Sequence, residues 1–279
     1  MCAVRVERKN KMNRIEYSRV KAQVNIQGDD TYEIILNRCE EVCIHVNENI
    51  QATLLLKLEN IEKVNIIMEI AAGAKIRLLH HFSSDVILKE EANLFYNATL
   101  ESGFYILDDI TSHVYARYYL KDKEAEVNLI TSTIASEQNE FDVECVHEVG
   151  MTSSHMENYA ICKESGKYKI VASGKIKKGA RGSKSHQSTR VLTMGEKQNA
   201  SVTPLLLIDE NDVEASHASA LGAMNEDHLY YLQTRGLNET QALGLLTLSY
   251  VLPILRIVEN SDFHQEIEKE IESKVGLTC

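Results

Sequence analysis

Short runs of alternating apolar and polar residues follow one another along most of the chain, from about Val20 to Ile208. Val42 to Val46, Ala52 to Leu58 and Val64 to Ile70 are typical, since each is rich in Val, Ile or Leu and is followed by a few polar residues. A period of two predicts β-strands with one buried face. Strands that recur about every ten residues predict a sandwich, a barrel or a β-solenoid.

The turns between these runs favour the solenoid. Asn and Asp recur there, as at Asn37, Asn60 and Asp108, but the Asn-Gly and Asp-Gly pairs that close two-residue hairpins do not occur. Proline, which punctuates proteins built from tight turns, is found only at Pro204 and Pro253 among 279 residues. We therefore expect long strands stacked in coils, with polar corners between them.

Beyond the last predicted strand, the apolar spacing becomes helical. Asn225 is placed to cap a helix that ends before Gly236, a residue typical of the position just past a helix end. Asn238 and Gln241 have the spacing of a capping box and predict the start of a second helix. Pro253 is expected to kink that helix.

A third, acidic helix is predicted between a cap at Ser261–Asp262 and its end at Gly276. Its apolar residues recur every four positions and form one stripe: Phe263, Ile267, Ile271 and Val275. Such a stripe makes the helix amphipathic. The expected parts of the chain are a basic N-terminal segment (1–19), a β-helix core (20–221) and a small C-terminal helical domain (222–279).

The charge of the chain excludes one broad class of function. Its formal net charge of -11 argues against general nucleic-acid binding, because that function requires a basic face. The charge is uneven, since the first two dozen residues are basic and the last stretch is acidic. Solvated chain ends are the expected explanation.

Cysteine usage and hydropathy indicate the compartment. The six cysteines form no C-x-x-C pair, and Cys39 and Cys43 do not have a standard zinc spacing, so we expect structural thiols in a reducing environment. The N-terminus lacks the apolar stretch of a signal peptide. The most apolar run, Ala242 to Leu255, is shorter than a membrane span. The sequence therefore predicts a cytoplasmic protein with no membrane partner.

Ten histidines make metal binding the first chemistry to consider. His80 and His81, with Asp85 nearby, are ligand types that suit zinc or iron. Adjacent residues of a strand point to opposite faces, however, so His80 and His81 are not expected to share one ion. His147 and His155 form a weaker group. Structural roles are the expected outcome for both pairs.

Two other kinds of site are weakly indicated. The basic segment from Ser173 to Lys184 contains three glycines but lacks the spacing of a phosphate-binding loop and precedes no helical pattern, so we expect a corner. The nucleophile motif G-x-S-x-G is absent. A β-solenoid enzyme acting on carbohydrate, with acids such as Asp108 and Asp109 as acid and base, stays an alternative. Adjacent strand residues face apart, which disfavours that pair.

The most informative stretch runs from Pro204 to Gly236. It contains an acidic corner made of Asp209, Glu210, Asp212 and Glu214. His217 follows between small residues, which permit close approach by another backbone or subunit. Carboxylates beside an exposed imidazole suit iron, whereas a satisfied structural histidine is the alternative.

Two motifs in this stretch carry a resemblance to a known family. D-V-E-A-S-H-A-S-A-L-G followed by L-Y-Y-L-Q-T-R-G-L resembles the C-terminal signature of the SufB/SufD family, the scaffold subunits of the SUF iron–sulfur cluster assembly system. Ser173 to Ile176 and Gln187 also lie where that family has a glycine, a strand and a glutamine. The clear match covers Ser173 to Val258. The resemblance implies a right-handed parallel β-helix followed by a helical domain.

The resemblance also implies partners. In that family the helical domain docks on the SufC ATPase, while SufB and SufD pair through the end of the β-helix, where cluster assembly is placed. Carried onto this sequence, the docking residues are Leu232, Arg235, Gly236, Leu237, Ala242, Leu245 and Leu246. The implied role is a non-catalytic subunit that pairs with a SufB-like or identical chain and shares iron or a cluster transiently.

His217 matches the histidine of the family interface, and together with Glu214 and Asp212 it is expected to handle iron or sulfur, with His217 as the metal ligand. The cysteine of SufB-type members is replaced here by Gln198, and that of SufD-type members by Ala215. Thiolates are what hold iron–sulfur clusters, so the chain alone is expected to hold a cluster poorly and to be SufD-like. The helical N-terminal domain of many relatives is expected to be missing. A structural homodimer without a cluster role is a further alternative.

Overall fold

The computed structural model describes residues 4–9, 12–163, 165–259, 261 and 263–275. Within these residues, eighteen β-strands precede three α-helices and one 3-10 helix. The strands are β1 Val4–Lys9, β2 Met12–Tyr17, β3 Lys21–Ile26, β4 Thr31–Asn37, β5 Glu41–Val46, β6 Gln51–Glu59, β7 Lys63–Ile70, β8 Lys75–Phe82, β9 Val86–Leu94, β10 Thr99–Ile106, β11 Ser112–Leu120, β12 Glu126–Ala135, β13 Gln138–His147, β14 Ser153–Cys162, β15 Lys167–Ile176, β16 Ser183–Thr193, β17 Asn199–Ile208 and β18 Val213–Ala223. The helices are α1 Glu226–Thr234, α2 Glu239–Val251, the 3-10 helix Leu252–Val258 and α3 His264–Val275.

Successive strands alternate between two sheets. The even-numbered strands, with β1 at one edge, form a ten-stranded sheet, and the odd-numbered strands from β3 to β17 form an eight-stranded sheet. Only β1 and β2 are antiparallel among the described neighbours. Each coil thus adds one strand to each sheet, which makes a mainly β solenoid of about 7 turns and confirms the predicted fold class. The first 19 residues contain β1 and β2, and β2 pairs with β4.

Side chains fill the interior because the strands alternate between buried and exposed positions. In β7, every second residue from Val64 to Ile70 is buried. Parallel pairing in register stacks equivalent positions, so that Ile44 of β5 lies beside Met68 of β7. The interior is apolar in the early coils. It becomes polar in the last coils, where the buried residues include Ser154, Asn158, Ser185, Gln187 and Thr189.

A second core joins the ten-stranded sheet to the helices. Leu55, Leu79 and Ile130, on β6, β8 and β12, belong to one buried cluster with Ile254 and Ile257 of the 3-10 helix. These strands are therefore buried on both faces where the helices cover them. Two-sided burial explains why the alternation of buried and exposed positions is lost there, as in the three consecutive buried residues Leu54, Leu55 and Leu56 of β6.

The predicted ends of the first two helices are confirmed. The Asn225 side chain accepts a hydrogen bond from the first turn of α1 at 2.8 Å. Asn238 and Gln241 form a capping box at the start of α2. Gly236 follows α1 with a φ of 94°, a conformation that favours glycine. Pro253 stands where α2 gives way to the 3-10 helix.

The apolar stripe of the last helix is not free to grip a partner. Phe263, Ile267 and Ile271 are fully buried in the same cluster as the outer face of the ten-stranded sheet. The stripe therefore anchors α3 to the solenoid of its own chain. The predicted cap residue Asp262, the predicted end Gly276 and the side chain of Val275 lie outside the described residues.

One helical stretch, Glu239–Val258, is long and apolar enough to cross a membrane by length and composition alone, with a mean hydropathy of 1.6. It is longer than the apolar run predicted from the sequence because the 3-10 helix continues α2. Of the 18 consecutive residues that meet this criterion, 44% are buried inside the protein. Since core helices pass the same test, this stretch is weak evidence for a span.

One corner of the coils repeats a left-handed backbone conformation. Its positive φ angles are Asn49 59°, Gly73 71°, Asn97 52°, Glu124 62°, Met151 61° and Gly182 70°. These corners are linked by backbone hydrogen bonds, as where the Met151 N–H donates to the Arg181 carbonyl at 2.8 Å. The corner is therefore a stacked column in which each coil positions the next.

Candidate functional site at the open end of the solenoid

The solenoid ends in two edge strands, β17 and β18. Within the described residues no further strand pairs with either, so their outer backbone groups are available for pairing. Large apolar side chains are exposed at this end, with Leu207 45% and Leu221 50% accessible, as are Leu205 and Ile208. An apolar end whose two strands each have a free edge is typical of a surface that another chain covers.

His217 lies in the middle of β18 and is exposed. It is the Cα partner of Gln187 on β16, whose side chain is 4% exposed and faces the interior. Because residues in register on parallel strands point the same way, His217 faces the mouth of the solenoid interior. The ring is therefore not sealed in the apolar core but stands at the end surface.

Polar groups line the interior behind His217. The Gln187 amide nitrogen donates to the Leu205 carbonyl at 2.9 Å, while its side-chain oxygen is buried without a protein partner. Ser185 and Ser154 are hydrogen-bonded at 3.1 Å. The sequence signal for this lining was the replacement of Val, Ile and Leu by Ser and Thr at inward positions of β14 and β16.

The acids predicted to act with His217 are not gathered around it. Glu214 is three residues away on the same strand, so its side chain lies on the opposite face, where Lys184 pairs with it at 3.0 Å. Asp212 lies in the corner before β18 and pairs with Arg181 at 3.3 Å. The described residues contain no group of three or more His, Cys, Asp or Glu side chains that could hold a metal ion. The expected acid–imidazole cluster is therefore not formed within this chain.

Cysteine thiolates are also not available beside His217 among the described residues. Cys39, Cys145 and Cys162 are buried, and Cys43 is half-buried on β5, far along the chain from the open end. Burial raises the pKa of Cys145 to about 12. Since thiolates are the ligands of iron–sulfur clusters, the described residues do not form a complete cluster site.

His80 and His81 point to opposite faces of β8, as predicted. His80 is buried inside the solenoid, with Nε2 2.7 Å from the Glu90 carboxylate and Nδ1 2.9 Å from the Gly103 carbonyl. His81 lies on the outer face, 3.3 Å from Glu270 of α3. The first is a core residue and the second ties the helical layer to the sheet.

The remaining candidates show no gathered active site. Ser173 to Ile176 end strand β15, and residues 177–182 form a corner that leads into β16, as predicted. Asp108 is ion-paired with Lys274 of α3. A carboxylate held by a lysine is a poor partner for the acid–base pair of a glycosidase.

The predicted docking residues lie on α1, α2 and the turn between them. α1 has no buried residue, and Tyr230 is 69% exposed. The Arg235 guanidinium stacks over the Tyr231 ring at 5.1 Å and donates to its hydroxyl at 3.0 Å. The i, i+4 spacing of these two residues, in L-Y-Y-L-Q-T-R-G, was the signal for a contact that sequence reasoning missed.

The other predicted docking residues differ in accessibility. Leu245 and Gly236 are exposed, whereas Leu232, Leu237 and Leu246 are half-buried. Ala242 is fully buried, so its side chain cannot contact a partner in this conformation. The accessible surface is thus made by α1 with its two tyrosines and by the exposed side of α2.

Comparison with known proteins places these features in a family. Residues 28–250 match the family model described as "SUF system FeS cluster assembly, SufBD core domain". Iron-sulfur cluster assembly protein SufD of Bacillus subtilis is 31% identical over 140 residues, covering 50% of this chain and 32% of that protein.

More distant relatives match over longer stretches. An iron-sulfur cluster assembly SufBD family protein of Mycobacterium tuberculosis is 24% identical over 223 residues, covering 76% of this chain and 26% of the relative. Iron-sulfur cluster assembly protein SufB of Bacillus subtilis is 23% identical over 188 residues, covering 64% and 40%. The chain spans 26% to 40% of the length of these three relatives.

Proposed function

The chain belongs to the SufBD core family of the SUF iron–sulfur cluster assembly system, and on that basis we propose that it is a non-catalytic scaffold subunit of cluster assembly in the cytoplasm. In this role it pairs through its open end with a SufB-like or identical subunit. It docks a SufC-type ATPase through α1 and α2. Iron, persulfide sulfur or the nascent cluster is cargo that it shares with its partners.

The observation that carries the proposal is an exposed His217 on β18, an edge strand of the open end, where Leu207 and Leu221 are also accessible. Imidazole is a good ligand for iron. Three of the described cysteines are buried and the fourth, Cys43, lies on β5 far along the chain from His217, so we expect the thiolates of a cluster to come from the partner subunit. Pairing at β17 and β18 would bury Leu207 and Leu221 and bring those thiolates to the imidazole.

Docking of the ATPase on α1 is supported by its position. β18 ends at Ala223 and α1 begins at Glu226, so only two residues separate the two elements. A movement of α1 imposed by an ATPase that opens and closes would therefore act directly on the strand that carries His217. The 3-10 helix and α3 are packed against the solenoid in the second core, so they would stay in place while α1 moves.

The test is a comparison of wild type with His217→Ala, each co-expressed with the SufC-type ATPase and SufB-like chain. We expect the variant to copurify with its partners as wild type does, because one exposed side chain is a small part of the pairing surface. Cluster formation on the complex, followed by its visible absorbance after addition of iron and a sulfur donor, should fall at least about tenfold.

The matched control is His113→Ala, which removes a half-buried histidine from the outer face of the eight-stranded sheet, 3.8 Å from Glu140. It should leave cluster formation unchanged. Undiminished cluster formation by the His217→Ala complex would favour a structural dimer without a cluster role. Hydrolysis of a glycan by the isolated protein would favour the carbohydrate enzyme instead.

A further inference from the structure

His155 and His186 lie side by side on the outer face of the ten-stranded sheet. They are Cα partners on the neighbouring strands β14 and β16. Their ring centroids are 6.4 Å apart, with the ring planes inclined by 56°. The His155 side chain is 45% exposed and His186 is half-buried, so solvent and ions reach the pair.

Each ring has one nitrogen held by a neighbour. His155 Nε2 is 3.0 Å from the Glu157 carboxylate, and His186 Nδ1 is 2.7 Å from the Ser216 hydroxyl. The carboxylate can only accept, so His155 Nε2 carries the proton of that bond. Nδ1 of His155 and Nε2 of His186 are the nitrogens that these two contacts leave unused.

The Glu157 carboxylate is held in place beside His155. It accepts hydrogen bonds from the Tyr159 hydroxyl at 2.8 Å, from the Arg256 guanidinium and from His155 Nε2 at 3.0 Å. Histidines that bind metals usually donate their second ring N–H to such a carboxylate, which orients the ring and strengthens it as a ligand. His155 therefore already has the hydrogen-bonded carboxylate that usually orients a metal-binding histidine.

The spacing of the two rings is close to that of a bound pair. Two imidazoles on one tetrahedral zinc ion, with Zn–N of about 2.0 Å, place their ring centres about 5 Å apart. The observed 6.4 Å requires an inward shift of about 1 Å, which accessible side chains make by small rotations. The neighbouring charges cancel, since Arg256 pairs with Glu157 and Lys184 with Glu214, so a cation is not repelled.

We infer that His155 and His186 form a two-histidine site for a divalent transition-metal ion, bound through His155 Nδ1 and His186 Nε2 and completed by water. Imidazole suits zinc, copper, nickel and iron, and Zn²⁺ is the probe of choice because it is redox-inert. The site faces outward, whereas His217 faces the interior. The inference therefore goes beyond the proposed function and does not depend on it.

The test is calorimetric titration of Zn²⁺ into the metal-free full chain at pH 7.5, with Co²⁺ absorption as a second readout. We expect one saturable ion per chain. His155→Ala and His186→Ala should each weaken binding at least about tenfold, because each removes one of the two protein ligands. Both residues are accessible, and circular dichroism checks that the variants fold.

Three controls make the test decisive. His45→Ala and His113→Ala remove other accessible histidines, at positions on β5 and β11, and should leave binding unchanged. His217→Ala should also retain the ion, which separates this site from cluster handling at the open end. Three results would each overturn the inference. The first is equal binding by wild type and the His155→Ala/His186→Ala double variant, and the second is no saturable binding by wild type up to about 1 mM Zn²⁺. The third is loss of the ion in His217→Ala.

Discussion

His147 illustrates how the polar interior near the open end is stabilised. It is fully buried, with Nδ1 2.7 Å from the Thr152 hydroxyl and Nε2 2.9 Å from the Ser154 hydroxyl. Burial disfavours the charged ring and lowers its pKa to about 4. Both hydroxyl partners are satisfied by a neutral ring, so His147 is a structural histidine as its sequence context predicted.

This burial gives the fold a dependence on pH. The unfolded chain binds more protons than the native protein between about pH 6.5 and pH 4, so His147 destabilises the fold progressively as pH falls through that window. Denaturant unfolding should show a loss from this group of about 2 kcal/mol between pH 7 and pH 5. His147→Gln should lack that component. Ser154→Ala, which keeps the imidazole, should be less stable overall but keep the pH dependence, and an unchanged slope in His147→Gln would contradict the assignment.

At the scale of the elements, the corner column contains backbone strain that the sequence pattern does not predict. Asn and Gly occupy most left-handed positions of this column, as Asn49, Gly73 and Asn97, which fits their known tolerance of positive φ. Met151 adopts the same conformation with a φ of 61°, although a side chain with Cβ is disfavoured there. Its conformation is imposed by the hydrogen bond to Arg181 and by the coils on either side.

We therefore expect an inverted order of stability at this position. Met151→Gly should be more stable than Met151→Ala by about 1 kcal/mol, because only glycine relieves the strain from Cβ. Both variants remove the exposed side chain, so thermal unfolding of the two isolates the backbone effect. At an ordinary strand or helix position, alanine would be the more stable of the pair. If Met151→Ala proves more stable than Met151→Gly, the corner is not strained.

The elements also show which features the sequence could predict. Alternation in β7 and the caps Asn225 and Asn238 were readable because strand period and capping chemistry are local. The fate of α3 was not readable, since its stripe fits either a partner or its own sheet, and only the long-range packing of Phe263 and Ile267 against the solenoid decides between them. Likewise, the row that brings His155 beside His186 depends on register between coils 31 residues apart.

At the scale of the whole molecule, the two proposed partner surfaces are chemically separable. The open end presents β17, β18 and His217, while the helical side presents α1 and the exposed face of α2. The acids predicted from sequence to join His217 could not be assigned correctly because strand alternation sends Glu214 to the other face, where Lys184 neutralises it.

Separable surfaces predict separable defects. The double variant Tyr230→Asp/Leu245→Asp places charges on accessible apolar positions of α1 and α2, so the ATPase should be lost from copurification while subunit pairing is retained. The matched control is Ile67→Asp on the eight-stranded sheet, because Ile67 and Leu245 are both 46% exposed. Affinity purification followed by size-exclusion chromatography reads both outcomes. Retention of the ATPase by the double variant would move the docking surface elsewhere.

Strand β1, which runs antiparallel to β2 at the edge of the ten-stranded sheet, affects how other molecules can add to that sheet. A strand from another molecule that added to the free edge of β1 would meet a neighbour of reversed direction, so the parallel ladder would not continue unbroken. Association at the opposite, unpaired end is self-limiting when two molecules meet face to face, since each uses the surface that the other needs. Pairing through the open end, as proposed, would therefore favour discrete pairs over fibres.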